Sequence, residues 1–282
     1  MRREIVLLFG IVFLTAGAAG FSLDSFSYGK QKAAVVKLSG SITPSASGFS
    51  SGITPEKVRD LNKEAEGMGA KAIVYEINSG GGAVVASKEV MRAIEEVEVP
   101  TVCRLRDLGA SGAYLVSLGC DRIVADSATL TGSIGVKSSY LEFSGLLDRY
   151  GVEYVNVSSG KYKELGSPYR NLTKEQKKIL KQKIERIHEE FLGIVDDRRN
   201  LTDEQLETVR TGEAFLGSRA KELGLVDELG GRKTAFKAAE NITGEDLAFQ
   251  VVEKETGFNL FSFLTSSVSL DFSGAAFSSE YR

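Results

Sequence analysis

Apolar residues along this chain fall into two periods. Runs of five to seven residues, AAVVKL at 33–38, KAIVYEI at 71–77, PTVCR at 100–104 and DRIVA at 121–125, have the length of buried strands. Between them lie stretches whose apolar positions recur three and four apart, as Val58, Leu61 and Ala65 do, which is one face of a helix. Thr54-Pro55-Glu56 opens that helix, with a capping hydroxyl, a proline at the first helical position and an acid in the first turn. Helices are also predicted at 84–96, through SGAYLVSLG from Ser111, at 138–150 and, longest, at 173–199. Further strands are predicted at 153–157 and near Leu247–Val252, and LTGSIG at 130–135 reads as a turn. Strands that alternate with helices form parallel sheets, so the fold class is α/β. In such sheets the loops at the carboxyl ends of the strands gather the functional site. By that argument Gly80-Gly81-Gly82, Ser111 and the loop around Lys163 share one rim.

The start of the chain breaks this pattern. IVLLFGIVFLTAGAAGF, at 5–21, runs 17 residues without a charge after Met1-Arg2-Arg3. That is the short edge of a membrane span, and the arginines place the N-terminus in the cytoplasm and the body beyond the membrane. Ala16-Gly17-Ala18 also matches a small-x-small cleavage site, so a removed signal peptide is the rival reading. Residues 22–32 form a polar tether, 33–255 the body, and 256–282 a Phe- and Ser-rich tail. The tail reads as a membrane- or subunit-contacting segment or as an unstructured end.

Composition narrows the chemistry. A net charge of −3 over 282 residues gives no basic surface for nucleic acid. Cys103 and Cys120 lie among apolar residues outside any metal spacing, and buried free thiols are the expectation. The single histidine, His188, sits in the charged 173–199 helix, where a surface position is expected. One histidine excludes a multi-histidine zinc site within the chain, and neither a metal nor a cofactor is called for.

Three places carry candidate chemistry. Ser111, in LGASGAY, stands between small residues where a strand turns into a helix. That suits a nucleophile, and it equally suits a helix cap, the commoner case. Gly80-Gly81-Gly82 follows a strand without a GxGxxG pattern or a following Lys-Ser/Thr, which leaves a tight turn or a set of amides for an oxyanion. A serine attacks a carbonyl only if a base takes its proton. Lys161 and Lys163 share one loop, and the residues themselves do not choose between them.

Five stretches taken together do more. NSGGGAVVAS (78–87), LGASGAYLVSLGCDRIVAD (108–126), TLTGSIGV (129–136), SGKYKELGSPYRNLT (159–173) and GEAFLGSRAKELGLVDELGG (212–231) resemble the signal peptide peptidase A family. These are membrane-anchored Ser-Lys serine proteases of the Clp/crotonase-like fold, built of repeated strand-strand-helix units. The resemblance implies Ser111 as nucleophile and Lys163, 52 positions on, as general base. It puts Gly82, with Gly112 beside it, at the oxyanion, and Ser133 where a serine steadies the lysine amine. Asp227 falls in a stretch read as structural. The family usually has proline where this chain has Gly80, which loosens the loop without removing an amide. The resemblance further implies a homo-oligomeric ring whose sites are shared between subunits, peptide substrates such as cleaved signal peptides, and a catalytic domain outside the cytoplasm. Two other classes remain at this stage: a catalytically silent ring-forming scaffold and a crotonase-like acyl-CoA enzyme.

Overall fold

The computed structural model describes residues 30–46 and 52–252. The anchor or signal segment, most of the tether and the tail lie outside the described residues. In chain order the elements are β1 (Gln31–Ser39), α1 (Pro55–Gly67), β2 (Ile73–Ser79), α2 (Val84–Glu95), β3 (Thr101–Ala110), α3 (Gly112–Ser117), β4 (Arg122–Ala125) and β5 (Leu130–Gly132). Then follow α4 (Ser144–Arg149), α5 (Lys174–Arg199), α6 (Asp203–Val209), β6 (Ala214–Leu216), α7 (Gly217–Glu222), β7 (Glu228–Leu229), α8 (Arg232–Thr243) and β8 (Leu247–Val252).

The strands form one sheet in the order β6-β5-β3-β2-β1-β8, and β4 joins β3 to β7. Every pairing is parallel except β5 with β6. Strand β3 serves two neighbours. Its first half, Val102 to Leu105, pairs with β4, and its last three residues, Leu108 to Ala110, pair with β5. The β2–β3 register shifts between Ile77 and Ser79, and Ile42 bridges to Gly82 just beyond β1 and β2. Beyond their main ladders these strands thus make a short second set of contacts, and Gly82 and Ser111 lie along it.

Alternation across the pleat sorts the side chains into two cores. Val36, Tyr75 and Cys103 face the layer of α1, α2, α3 and α5. Ala33, Val74, Val102 and Val124 face the Ala235, Ala238 and Ala239 stripe of α8, whose small side chains let that helix lie close. Burial of each Val, Leu or Ile contributes roughly 1.5–3 kcal/mol, so these faces fix the register. Polar pins secure the edges. Glu76, 2% exposed, receives Arg232 and Arg104 guanidiniums, which hold its carboxyl below the usual range. Asp227 is structural as expected: Arg199 donates to it at 2.9 and 3.1 Å and the Ile123 amide at 2.7 Å.

Thr54 caps α1 through the Lys57 amide, and Thr173 and Gln176 close a capping box at the start of α5. Five expectations change. Strand β3 runs to Ala110, past the predicted end at 104, because β5 gives its last residues a partner. For the same reason Leu130–Gly132 is a strand where a turn is predicted. Helix forms only at Ser144–Arg149 within 138–150, and 153–157 alternates like a strand but has no ladder. Val155 and Val157 are 74% and 96% exposed there, since no strand among the described residues pairs with them. Finally, Cys103 and Cys120 are joined in a disulfide with Cα atoms 5.8 Å apart, not left as free thiols. The chain runs out along β3 and back through α3, which brings the two cysteines, 17 positions apart, together.

Candidate active site

Ser111 ends β3 and precedes α3 with φ 55° and ψ −125°. A non-glycine residue at positive φ costs on the order of 1–3 kcal/mol and persists only where its surroundings over-determine it. Here they do. Its amide donates to Gly132 O at 2.8 Å, and its carbonyl accepts the first helical bond, from the Leu115 amide at 3.0 Å. The hydroxyl does not cap α3, which corrects the commoner reading of the sequence. Among the described residues Oγ has no hydrogen-bond partner, and it faces a cavity of about 740 Å³.

Gly82 and Gly112 line the same cavity. Gly112 is the first residue of α3, so its N–H has no partner within the helix. Ile42 N–H donates to Gly81 O at 3.0 Å and Ala83 N–H to Ile42 O at 2.9 Å, a bridge that leaves the Gly82 amide between them unused. The two amides are close: a Cβ on Gly112 would stand 3.2 Å from Gly82 N and 2.4 Å from the buried Ser87 Oγ. A Cβ on Gly82 would stand 2.0 Å from Ile42 O. Both positions therefore require glycine for backbone approach. Two unpaired donors beside a free hydroxyl are what a tetrahedral oxyanion uses.

Ser133, at φ 49°, also lines the cavity, and its amide donates to Glu213 O at 2.8 Å. Thus four predicted residues, Ser111, Gly82, Gly112 and Ser133, come together within one chain. Lys163 does not join them. It lies exposed in the turn after Gly160, where its amide donates to Gly160 O at 3.1 Å, and its ammonium makes no hydrogen bond or ion pair among the described residues. Lys161 differs: its ammonium donates to Glu175 at 2.9 Å, and that carboxylate raises its pKa, which disfavours the neutral amine a base needs.

His188 departs from expectation. It is half-buried, lines the Ser111 cavity, and its Nε2 lies 2.9 Å from Ile134 O. The signal was in the spacing. His188, Phe191 and Val195 recur at three and four, so they share the inward face of α5. Val84, Leu115, Ile187 and Phe191 complete an apolar wall.

Residues 93–245 match peptidase family S49. The chain is 32% identical over 265 residues to a putative protease of Methanocaldococcus jannaschii, covering 90% of this chain and 84% of that one. The chain belongs to peptidase family S49. A putative signal peptide peptidase SppA of Enterococcus faecium is 30% identical to this S49 chain over 232 residues, 79% of this chain and 67% of the relative. Among solved structures, the 1510-N membrane-bound stomatin-specific protease, as a mutant in complex with a substrate peptide, superposes with TM-score 0.51 at 13% identity. It covers 84% of this chain and 99% of the other, a likeness of fold. As an S49 member the protein is a serine peptidase, and Ser111 with its two amides is the arrangement such an enzyme needs.

Proposed function

We propose that this serine peptidase hydrolyses cleaved signal peptides and other unfolded segments through a Ser111–Lys163 dyad. The base comes from a neighbouring copy of the chain. Neutral Lys163 takes the Ser111 proton, and Oγ attacks the scissile carbonyl. The oxyanion settles on the Gly82 and Gly112 amides. The lysine then protonates the leaving amine, and water, activated by the same base, releases the acyl group from Ser111. Ser133 holds the amine in line. The apolar wall of Val84, Leu115, Ile187 and Phe191 favours small or apolar side chains.

The observation that carries this reading is the free Ser111 hydroxyl at a strained turn, between two unpaired amides. Three further features support the shared site. Among the described residues the Lys163 ammonium has no partner, whereas Lys161 is tied to Glu175. The segment before Lys163 exposes Leu141, Tyr150, Val152, Val155 and Val157, apolar area that a second copy would cover. The main-chain groups of 153–157 lack a ladder. The proposal includes residues 1–21 as a membrane anchor, with the body outside the cytoplasm. A disulfide fits that compartment. Among the described residues no helix is long and apolar enough to cross a membrane.

Subunit mixing tests the proposal. Ser111→Ala and Lys163→Ala are each expected to be inactive on a fluorogenic peptide. Co-refolded together they should regain a fraction of wild-type activity, because some sites then pair an intact serine with an intact lysine. Wild-type kcat in Lys163→Ala would refute the dyad, and mixtures that stay inactive while assembling normally would refute the sharing.

A further inference from the structure

We propose that His188 is a positioning residue for the reaction: it fixes Ser133 by holding the peptide group that follows it. This role rests on the Ser-Lys reading above. Ser133 belongs to a tripeptide in an unusual conformation, with φ 73° at Gly132 and 49° at Ser133. Two consecutive left-handed residues, one of them not glycine, do not hold themselves. Three outside groups hold them instead, one per residue. Gly132 O accepts the Ser111 amide at 2.8 Å, the Ser133 amide donates to Glu213 O at 2.8 Å, and Ile134 O is 2.9 Å from His188 Nε2.

A carbonyl only accepts, so Nε2 carries the proton in that contact, in the neutral and the cationic ring alike. The ring reaches Ile134 from a firm base. Helix α5 buries Phe191, Leu192 and Val195, and it is tied to α2 by the Lys88–Glu190 and Arg198–Glu95 ion pairs. His188 is thus a strut from a long, anchored helix to the strained wall opposite Gly82. Without it the peptide between Ile134 and Gly135 is free to rotate. The Ser133 hydroxyl, which orients the lysine amine, then loses its fixed direction. Substrate binding along the apolar wall does not depend on that hydroxyl, so the effect falls on kcat.

The test compares full-length wild type, His188→Ala and His188→Gln for kcat and KM on a fluorogenic peptide, for the rate of Ser111 acylation by a fluorophosphonate probe, and for thermal midpoint. Alanine should lower kcat about tenfold with KM within about twofold. Glutamine, whose amide N–H reaches as far as Nε2, should recover most of the loss. Unchanged kcat in His188→Ala overturns the proposal. So does a glutamine variant as slow as alanine with a wild-type midpoint. A glutamine variant restored in both midpoint and kcat supports it even if the alanine protein is unstable. Failure of this role leaves Lys163→Ala inactive and His188→Ala fully active. Failure of the dyad itself shows as an active Lys163→Ala.

Discussion

On the proposed mechanism, Gly82→Ala isolates the oxyanion contribution. The added methyl would stand 2.0 Å from Ile42 O and 2.7 Å from Ile42 N and C, all main-chain atoms that no rotamer change can remove. Ordinary contact needs about 3.5 Å, so the two segments must separate by more than about 1 Å. That movement breaks the Ile42–Gly82 bridge and carries the Gly82 amide off the oxyanion position. Donors act at 2.7–3.1 Å from that oxygen, and removal of one costs about 10²–10³ in kcat, roughly 3–4 kcal/mol of transition-state stabilisation. The same overpacking costs about 1–3 kcal/mol of folding stability, which a domain stable by about 5–15 kcal/mol withstands. Steady-state cleavage of a fluorogenic peptide, read beside a thermal melt, separates the two effects. Gly80→Ala is the matched control. Its Cβ would touch only Leu108 Cδ2, at 3.3 Å, and a leucine end swings aside. The control should keep kcat within about threefold of wild type. A folded Gly82→Ala enzyme with kcat equally close to wild type refutes the oxyanion role of this amide.

Two predictions concern the frame around the site. Glu76→Gln removes the anion between Arg232 and Arg104 and should cost about 3 kcal/mol, the lower end for a buried pair because Arg232 is half exposed. The folded carboxyl is held below the ordinary glutamate value, so its contribution is complete above about pH 4.3 and is lost as pH falls through the folded value. Urea midpoints should therefore drop more steeply with acid in wild type than in Glu76→Gln, and equal slopes would refute the assignment. Replacing Cys103 and Cys120 with serine opens a loop whose ends are 17 residues apart, which loop-closure entropy values at about 3 kcal/mol. The urea midpoint should fall accordingly, and an unchanged midpoint after reduction would show that the bridge adds nothing to stability.

The parts of this structure legible in sequence are those where one segment decides its own fate. Helix α1 carries its cap, its proline and its apolar stripe within a dozen residues, and it forms as predicted from Thr54 onward. The 33–38 and 71–77 strands are apolar runs that the sheet largely buries, and Leu247–Val252 forms as predicted at its edge. What a segment cannot announce is its partner. Leu130-Thr131-Gly132 is too short and too polar to read as a strand, and becomes one because β3 extends past Leu105 to meet it. The 153–157 run has strand-like alternation and stays irregular because no strand among the described residues pairs with it.

The site divides along the same line. Ser111 and Gly82 follow strands of one sheet, as the topology predicts, and Gly112 and Ser133, which only the resemblance singled out, line the same cavity. His188 escaped because it reaches the cavity from a helix that reads as charged and solvent-facing, although its phase with Phe191 and Val195 points inward. Lys163 is the opposite case. The resemblance picked it over Lys161, and among the described residues it stands apart from the serine, exposed in its loop. A lysine that serves as a base at neutral pH needs desolvation. The exposed Leu141, Val155 and Val157 on the approach to Lys163 are the surface through which another copy would provide it. On the proposed reading, the environment that makes the lysine a base is built only on assembly, where neither the pattern of one sequence nor the packing of one chain can display it.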